Sequence, residues 1–252
     1  MTSIDERFNL RGKVGVVIGG SGHLCSTLAR AMDESGMDVV VLDIGPMPAT
    51  AGGWKPPVYL ICDVTSKADL ERCREAVLDR HGRVDVLLNG AGTNAPTPFL
   101  EISGEEIDRI LGVHVAGVLH SCQVFGATML EQRSGSIINF ASASSGPPLS
   151  KAFVYSIAKA GVVSLTQNLA REWATSNGRV NALRPGFFPT EWSMKHFIDE
   201  ERKARILGHT PMKRFGRPEE LIGAVLWLAS DAATFVTGAV IAVDGGFTAM
   251  TI

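Results

Sequence analysis

Three polar residues, Ser142, Tyr155 and Lys159, have the types and spacing of a proton-transfer site. Tyr155 and Lys159 are four positions apart, so they share one face if the segment is helical. Ser142 ends the apolar run SIINFAS, 13 residues before Tyr155. A phenol with a pKa of about 10 is a weak base at neutral pH, and a nearby ammonium lowers that pKa. The set predicts that Ser142 holds a substrate oxygen while Tyr155, assisted by Lys159, exchanges a proton with it.

A glycine-rich turn, IGGSGHL, follows the first strand-like run, VGVVI. Glycines at 19, 20 and 22 permit a tight turn, and the helix that follows presents backbone N–H groups to a pyrophosphate. Asp43 ends the next apolar run, 24 residues after Gly19, where an acid binds ribose hydroxyls and repels the 2′-phosphate of NADP. The turn therefore predicts NAD as the cofactor. The alternatives are a turn without ligand and a solvated Asp43.

The elements that must position these residues alternate between strands and helices. Helical patterns include residues 23–35 and the apolar positions Leu70, Cys73 and Val77. Continuously apolar strands are typical of a parallel sheet with both faces covered. The 252 residues therefore predict one α/β domain, a doubly wound Rossmann fold. The seven strand-like runs are VGVVIGG, MDVVVLDI, VYLICDV, VDVLLNGAG, GSIINFAS, RVNALRPG and AVIAVDGG.

Composition excludes several classes of protein. The net charge is −2 with both signs interspersed, so no basic face for nucleic acid is expected. The four cysteines form no CxxC pair or zinc-like spacing, which favours reduced thiols and no metal site. The polar N-terminus resembles no secretory signal, and no apolar run of about 20 residues is evident. A soluble cytoplasmic protein without a membrane partner is expected.

Taken together in this order, these motifs resemble the short-chain dehydrogenase/reductase family over nearly the whole chain. Residues 18–25 correspond to the family's TGxxxGxG turn, CDV at 62–64 to its adenine contact, and NGAG at 89–92 to its NNAG motif. RPGFFPT at 184–190 is similar to the PGxxxT loop around the nicotinamide, and the segment 191–212 corresponds to a lid over the substrate, in which Lys195, His196 and His209 are candidate contacts.

The resemblance also implies which residues carry out the reaction and which bind the cofactor. Ser142, Tyr155 and Lys159 match the catalytic set, and His114 stands where the family has its fourth catalytic residue, an asparagine. Asp63 is expected to face the adenine amino group, and Asn89 to support the central strand. The implied cofactor contacts are Gly19, Ser21, Gly22, His23, Leu24, Asp43, Ile44, Asp63, Val64, Asn89, Gly90, Ala91, Tyr155, Lys159, Pro185, Gly186, Phe188 and Thr190.

Four positions depart from the family pattern: Ile18, His23, Cys25 and His114. Ile18 removes a hydroxyl from the turn, and Cys25 replaces a glycine at which helix and strand approach closely. In the family, the asparagine at the position of His114 bends its helix and holds a water that relays protons to the lysine. Imidazole both donates and accepts hydrogen bonds, and with a pKa near about 6.5 it could join that relay. The alternatives are a packed histidine without a role and a weakened enzyme.

The resemblance implies an NAD-dependent dehydrogenase that interconverts a secondary alcohol and a ketone. The GGSGHL turn is similar to that of a branch acting on gluconate and other sugar acids or polyols, which favours a small-molecule substrate of that kind. A 3-oxoacyl-type or other carbonyl reductase and a non-catalytic dinucleotide-binding regulator are the alternatives. The family forms homo-oligomers, so a tetramer is favoured over a dimer; a subunit of a mixed assembly is a further alternative.

Overall fold

One parallel sheet of seven strands organises the computed structural model, which describes residues 3–47 and 54–250. The strand order β3-β2-β1-β4-β5-β6-β7 confirms the predicted doubly wound fold. The strands are β1 Val14–Ile18, β2 Asp38–Asp43, β3 Val58–Ile61, β4 Val86–Asn89, β5 Gly135–Phe140, β6 Gly178–Pro185 and β7 Val240–Val243.

Helices cover both faces of this sheet. Their bounds are α1 Ile4–Phe8, α2 His23–Glu34, α3 Lys67–His81, α4 Gly104–Leu111, α5 Gly117–Glu131, α6 Phe153–Trp173, α7 Glu191–His196, α8 Glu200–His209 and α9 Ile222–Ala229. A π-helix, Gly112–Ala116, joins α4 to α5. Two apolar cores form between the layers. Leu70, Cys73 and Val77 of α3 lie in one, and Leu28 and Met32 of α2 in the other. The continuously apolar strands are thus explained by burial on both faces.

The strand register brings the candidate site to one edge of the sheet. Ile18 pairs with Leu42 of β2 and with Asn89 of β4, so these three strands end level with one another. Asn89 in turn pairs with Asn139 near the end of β5. Because β2 and β4 lie on opposite sides of β1, the order in which strands are added to the sheet reverses here. Sheets of this kind bind ligands in the crevice at the carboxyl ends of the strands where that reversal occurs.

The continuous helical stretch Gly104–Glu131 corrects the expectation about membrane-length segments. It is long and apolar enough to cross a membrane by length and composition, with a mean hydropathy of 1.4 over its most apolar 18 residues. Half of that window is buried within the fold, where α5 packs against β4, β5 and α6. This burial is the behaviour of a core helix. The sequence expectation missed it because His114 and His120 interrupt the apolar run.

All four cysteines are free and buried, as expected for reduced thiols. No group of histidine, cysteine or acidic side chains suited to a metal ion occurs within residues 3–47 and 54–250.

Candidate active site

The turn after β1 depends on a glycine. Gly19 has a φ of +74°, and a Cβ there would lie 2.6 Å from the backbone N and Cα of Ala91. Helix α2 then begins at His23, its N-cap Gly22 supplies no side-chain cap, and its first turn carries no acidic residue. Four N–H groups at a helix start lack intrahelical partners and favour an anion. The turn therefore fits a pyrophosphate.

Asp43 lies beside this turn and holds it. Its Oδ2 accepts hydrogen bonds from the Ser21 backbone N–H, at 3.0 Å, and from the Ser21 hydroxyl. Its Oδ1 accepts from the Ile44 N–H at 2.8 Å. Ile44 itself is exposed. A carboxylate thus stands at the end of β2, with Ser21 and Ile44 beside it.

Of the two residues predicted to lie on the adenine side, Asp63 is half-buried and Val64 is buried. Asp63 accepts hydrogen bonds from the backbone N–H and hydroxyl of Thr65, at 2.9 and 2.8 Å, so its carboxylate stabilises its own turn. Val64 is buried under Gly117, where a Cβ would lie 2.8 Å from its Cγ2. Neither side chain reaches the main cavity described below.

Asn89 connects the ends of the central strands. Its Nδ2 donates to Asn139 Oδ1 at 2.8 Å, and its Oδ1 accepts from the Ser121 hydroxyl at 2.7 Å. Both of its hydrogen-bonding groups are thus occupied inside the protein, and the side chain is 4% exposed. The geometry assigns Asn89 to strand support.

Cys25 and Gly90 fit each other. The Cys25 thiol occupies the space above the end of β4, and a Cβ at Gly90 would lie 2.1 Å from its Sγ. Burial raises the pKa of Cys25 to about 12, so the thiol is neutral. Cys25 is one of the four departures named above, and Gly90 stands where the NNAG motif of the family has its second asparagine. The sequence predicts that Cys25 reduces the closeness of helix and strand without blocking it, and in the structure Gly90 provides the room for the thiol.

His114 lies in the π-helix, and its ring is fixed by the segment after β4. Its Nε2 lies 2.7 Å from the carbonyl oxygen of Thr93 and 3.0 Å from the Thr93 backbone N. A Cβ at Gly92 would lie 2.8 Å from the ring. The buried Nδ1 has no hydrogen-bond partner within the described residues. π-Helical turns are frequent at functional sites, and this one presents His114 to the segment Gly92–Thr93.

The surroundings of the His114 ring determine its charge. Burial, followed by the positive charge of Lys159, lowers its pKa from 6.5 to about 3, while the Thr93 hydrogen bond acts weakly in the other direction. The imidazole therefore stays neutral near neutral pH. The neutral ring contacts the Thr93 backbone through Nε2 and so positions that segment, and the expected role of His114 in a proton relay stays a prediction.

Acid should destabilise the protein through His114. Between pH 6.5 and about 3 the unfolded chain binds a proton at this residue and the folded chain does not. The free energy of unfolding therefore falls as the pH is lowered through that window. We expect His114→Asn to show a shallower fall in denaturant unfolding at a series of pH values. His23→Asn, at an exposed histidine, is the control and should follow the wild type. Equal slopes for wild type and His114→Asn would contradict the assignment.

Ser142, Tyr155 and Lys159 come together where β5 meets α6. The Ser142 hydroxyl accepts from the Ser144 backbone N–H at 3.2 Å and so begins a short 3₁₀ turn, Ala143–Ser145. Tyr155 lies in the first turn of α6, and its ring meets the His114 ring edge-to-face with centroids 5.1 Å apart. Lys159, one turn later and 4% exposed, has its Nζ 5.6 Å from the Tyr155 ring centroid.

Burial is the main cause of the pKa shifts of Tyr155 and Lys159. Burial raises the pKa of Tyr155, and a hydrogen bond with Ser142 acts in the opposite direction. The Lys159 ammonium donates to the Phe140 carbonyl oxygen at 2.5 Å. Burial lowers the pKa of Lys159 to about 8. The ammonium is thus engaged by the end of β5, and its expected lowering of the Tyr155 pKa stays a prediction.

A cavity of about 460 Å³ connects the glycine turn, the Ser142–Tyr155–Lys159 set and the loop after β6. It extends from the glycine turn to the segment predicted as a lid, and Phe197, Ile198 and Arg202 of that segment line it. All four predicted catalytic residues line it. So do the predicted cofactor residues Gly19, Gly22, His23, Leu24, Gly90, Ala91, Tyr155, Lys159, Pro185, Gly186, Phe188 and Thr190. Those outside the lining are Ser21, Asp43, Ile44, Asp63, Val64 and Asn89.

The loop after β6 closes the cavity. A Cβ at Gly186 would lie 2.7 Å from the Asp244 Cα, so glycine is required there. The Thr190 hydroxyl accepts from the Ser193 N–H at 3.0 Å and caps α7. Lys195 is exposed, and the side chain of His196 lies outside the described residues. His209 packs against Phe247 with ring centroids 4.7 Å apart and does not line the cavity.

Sequence reasoning missed several lining residues, among them Thr93, Lys151 and Arg202. Lys151 lies four positions before Tyr155, but α6 begins only at Phe153, so helical periodicity could not place it. Arg202 lies on α8 and reaches the site only through the fold. These positions follow from tertiary packing and not from any local pattern.

The fold and the joined cavity define a dinucleotide-binding α/β protein. A family model described as enoyl-(acyl carrier protein) reductase matches residues 24–248. The chain is 37% identical to an uncharacterised oxidoreductase of Bacillus subtilis, UxuB, with 96% of each chain covered. It is 33% identical to the NAD-dependent glycerol dehydrogenase of Listeria innocua, with 97% of each covered.

A solved structure extends the comparison. The gluconate 5-dehydrogenase of Burkholderia cenocepacia, in complex with NADP and tartrate, is 28% identical and superposes with a TM-score of 0.91 over 98% of this chain and 99% of that one. The chain therefore belongs to the short-chain dehydrogenase/reductase family, and it is an oxidoreductase of that family.

Proposed function

We propose that this protein is an NAD-dependent dehydrogenase that interconverts a secondary alcohol and a ketone, acting on a sugar acid or polyol. The observation that supports this most strongly is the single cavity shared by the glycine turn, the Ser142–Tyr155–Lys159 set and the loop after β6. The relatives named for glycerol and gluconate agree with a hydroxylated substrate.

The dinucleotide, when bound, supplies the hydride acceptor for alcohol oxidation. Ser142 would hold the substrate oxygen by a hydrogen bond, and the Tyr155 oxygen would take the hydroxyl proton as the carbonyl forms. In the reverse direction the neutral phenol, favoured by burial, returns that proton. Lys159 would hold the ribose, and its buried ammonium would favour the tyrosinate once it turns from Phe140. General acid–base catalysis of this kind contributes about 10²- to 10⁴-fold.

His114 has a different role in this proposal from the family asparagine. Its neutral ring fixes Gly92–Thr93, which lines the cavity beside Tyr155. The π-helix supplies the bend that the asparagine gives elsewhere in the family. His114 is therefore a positioning residue.

NAD is proposed over NADP because of Asp43. Its carboxylate stands beside the turn, and neither the turn nor Ile44 and Gly45 offer a cation to neutralise a 2′-phosphate. The gluconate dehydrogenase neighbour binds NADP, so the preference has to rest on this residue and not on the family. A homo-oligomer, with a tetramer favoured, and a cytoplasmic location complete the proposal.

Asp43→Asn tests the cofactor preference. Because like charges at close range cost several kcal/mol, we expect wild type to bind NAD more tightly than NADP and the variant to raise the NADP-to-NAD affinity ratio by about tenfold or more. The asparagine carbonyl oxygen can still accept both Ser21 hydrogen bonds, so the turn is kept and only the bond from the exposed Ile44 N–H is lost. The measurement is cofactor titration by calorimetry.

Asp38→Asn is the matched control, since Asp38 is an exposed carboxylate at the other end of β2. Its affinity ratio should equal that of the wild type. A wild type that prefers NADP, or a ratio unaffected by Asp43→Asn, would refute the NAD assignment. Failure to bind either dinucleotide would refute the proposed function.

A further inference from the structure

The charged side chains on the cavity wall have one sign. Within the described residues, Lys151, Lys159 and Arg202 line the cavity, and no aspartate or glutamate does. Lys159 is engaged by Phe140 and belongs to the Tyr155 set. Lys151 and Arg202 have no part in the proposed proton transfer, and both lie at the lid side of the cavity.

Lys151 adopts a backbone conformation that side chains rarely take. Its φ is +59°, in the left-handed region that favours glycine. Such conformations persist where the surroundings impose them, and they concentrate at functional sites. Residue 151 lies just before α6, four positions before Tyr155, and its side chain, 42% exposed, lies at the rim of the proposed reaction site.

Arg202 is held beside it by one residue. Its Nη1 donates to the Ser150 hydroxyl at 3.0 Å and its Nη2 to the Ser150 carbonyl oxygen at 2.8 Å. Both acceptors are neutral. These two hydrogen bonds therefore position the guanidinium without neutralising its positive charge. A fixed planar guanidinium is suited to bind a carboxylate through two parallel hydrogen bonds.

Asp199 balances only part of this charge. Its Oδ2 lies 3.6 Å from the Lys151 Nζ, while its Oδ1 accepts from the Arg202 backbone N–H at 2.7 Å and caps α8. The Asp199 side chain is 62% exposed and does not line the cavity. Two cations against one carboxylate leave a net positive charge at the cavity wall.

We propose that Lys151 and Arg202 form a carboxylate-binding subsite, so that the substrate is a small hydroxy acid and the product the corresponding oxo acid. The acid group would lie between these two side chains while the hydroxyl reaches Ser142 and Tyr155. The inference rests on the proposed dehydrogenase function and decides between its two substrate classes, since a neutral polyol gives the cations no partner.

The test compares matched acids and neutral analogues: D-gluconate with D-sorbitol, and 3-hydroxybutyrate with its methyl ester. For wild type with NAD we expect kcat/KM to be higher for the acids by about tenfold or more, because charge-assisted hydrogen bonds from the half-buried Arg202 guanidinium contribute about that much. Lys151→Met and Arg202→Gln should lose this preference mainly through KM for the acids, with the neutral substrates unchanged. Lys203→Met, one residue along α8 from Arg202 and outside the cavity lining, is the control.

Lys151→Gly separates binding from folding. Glycine relieves the left-handed conformation, so this variant should unfold at a temperature no lower than wild type while losing the acid preference. Equal kcat/KM for acids and neutral analogues in wild type, or loss of the preference in Lys203→Met as well, would overturn the subsite and leave the dehydrogenase proposal intact.

A second readout does not depend on turnover. Gluconate, and not sorbitol, should raise the melting temperature of the NAD-saturated wild type, and Lys151→Met should abolish that rise. A gluconate-specific rise without turnover of any substrate would support the subsite and refute the dehydrogenase proposal. Absence of a gluconate-specific rise would overturn the subsite.

Discussion

Tyr155→Phe is expected to lower kcat by about 10²- to 10⁴-fold while leaving the affinity for NAD close to that of the wild type. The substitution removes one oxygen and keeps the ring, so the edge-to-face contact with His114 survives. What is lost is the group that exchanges the substrate proton and bonds Ser142. Steady-state kinetics and cofactor titration on the same preparation separate the two effects.

The chain offers a matched control, because its other tyrosine is Tyr59. The Tyr59 hydroxyl donates to the Gly45 carbonyl oxygen at 2.8 Å and lies outside the cavity lining. Tyr59→Phe should therefore keep nearly all activity. An active Tyr155→Phe enzyme would show that another group performs the proton transfer, and a loss of NAD affinity equal to the loss of kcat would point to a binding role instead.

Gly90→Asn is expected to destabilise the fold strongly, and Cys25→Gly is expected to rescue it. The added side chain must displace the Cys25 thiol, which would lie 2.1 Å from its Cβ and is itself buried between α2 and the end of β4. Overpacking of this kind costs about 1–3 kcal/mol and occasionally more. Combining Gly90→Asn with Cys25→Gly restores the family pairing at both positions, so the two changes should be strongly non-additive.

Denaturant unfolding of wild type, both single variants and the double variant measures this coupling. Gly104→Asn is the control, because nothing lies within 4 Å of a Cβ there. If Gly90→Asn is as stable as the wild type, or if Cys25→Gly does not rescue it, the two departures from the family pattern are unrelated.

Much of the fold follows from local sequence. The strand Val14–Ile18 and the helix His23–Glu34 coincide with the predicted apolar run and helical pattern, because burial on a sheet face imposes those periodicities. Tyr155 and Lys159 share the face of α6 that their spacing predicts. The strand order also follows, since it is the common arrangement of alternating strands and helices.

The remaining features depend on contacts between distant segments. The low pKa of His114 comes from burial and from Lys159, 45 residues away in the sequence. The engagement of Lys159 by the Phe140 carbonyl is equally non-local. Cys25 is unfavourable when only its own helix is considered, and it fits once Gly90 is beside it. A sequence pattern gives residue types and spacing, but not which backbone groups from other elements meet a side chain.

Oxidation of an alcohol with NAD is the activity that we propose for this chain. The measurement that tests it most directly is NADH formation, followed by absorbance, with purified wild-type protein. The panel contains gluconate, sorbitol, 3-hydroxybutyrate and simple secondary alcohols, each with NAD and with NADP. We expect turnover of at least one hydroxy acid, faster with NAD than with NADP and abolished in Tyr155→Phe. Binding of NAD without turnover of any substrate in either direction would contradict the claim and indicate a non-catalytic dinucleotide-binding protein.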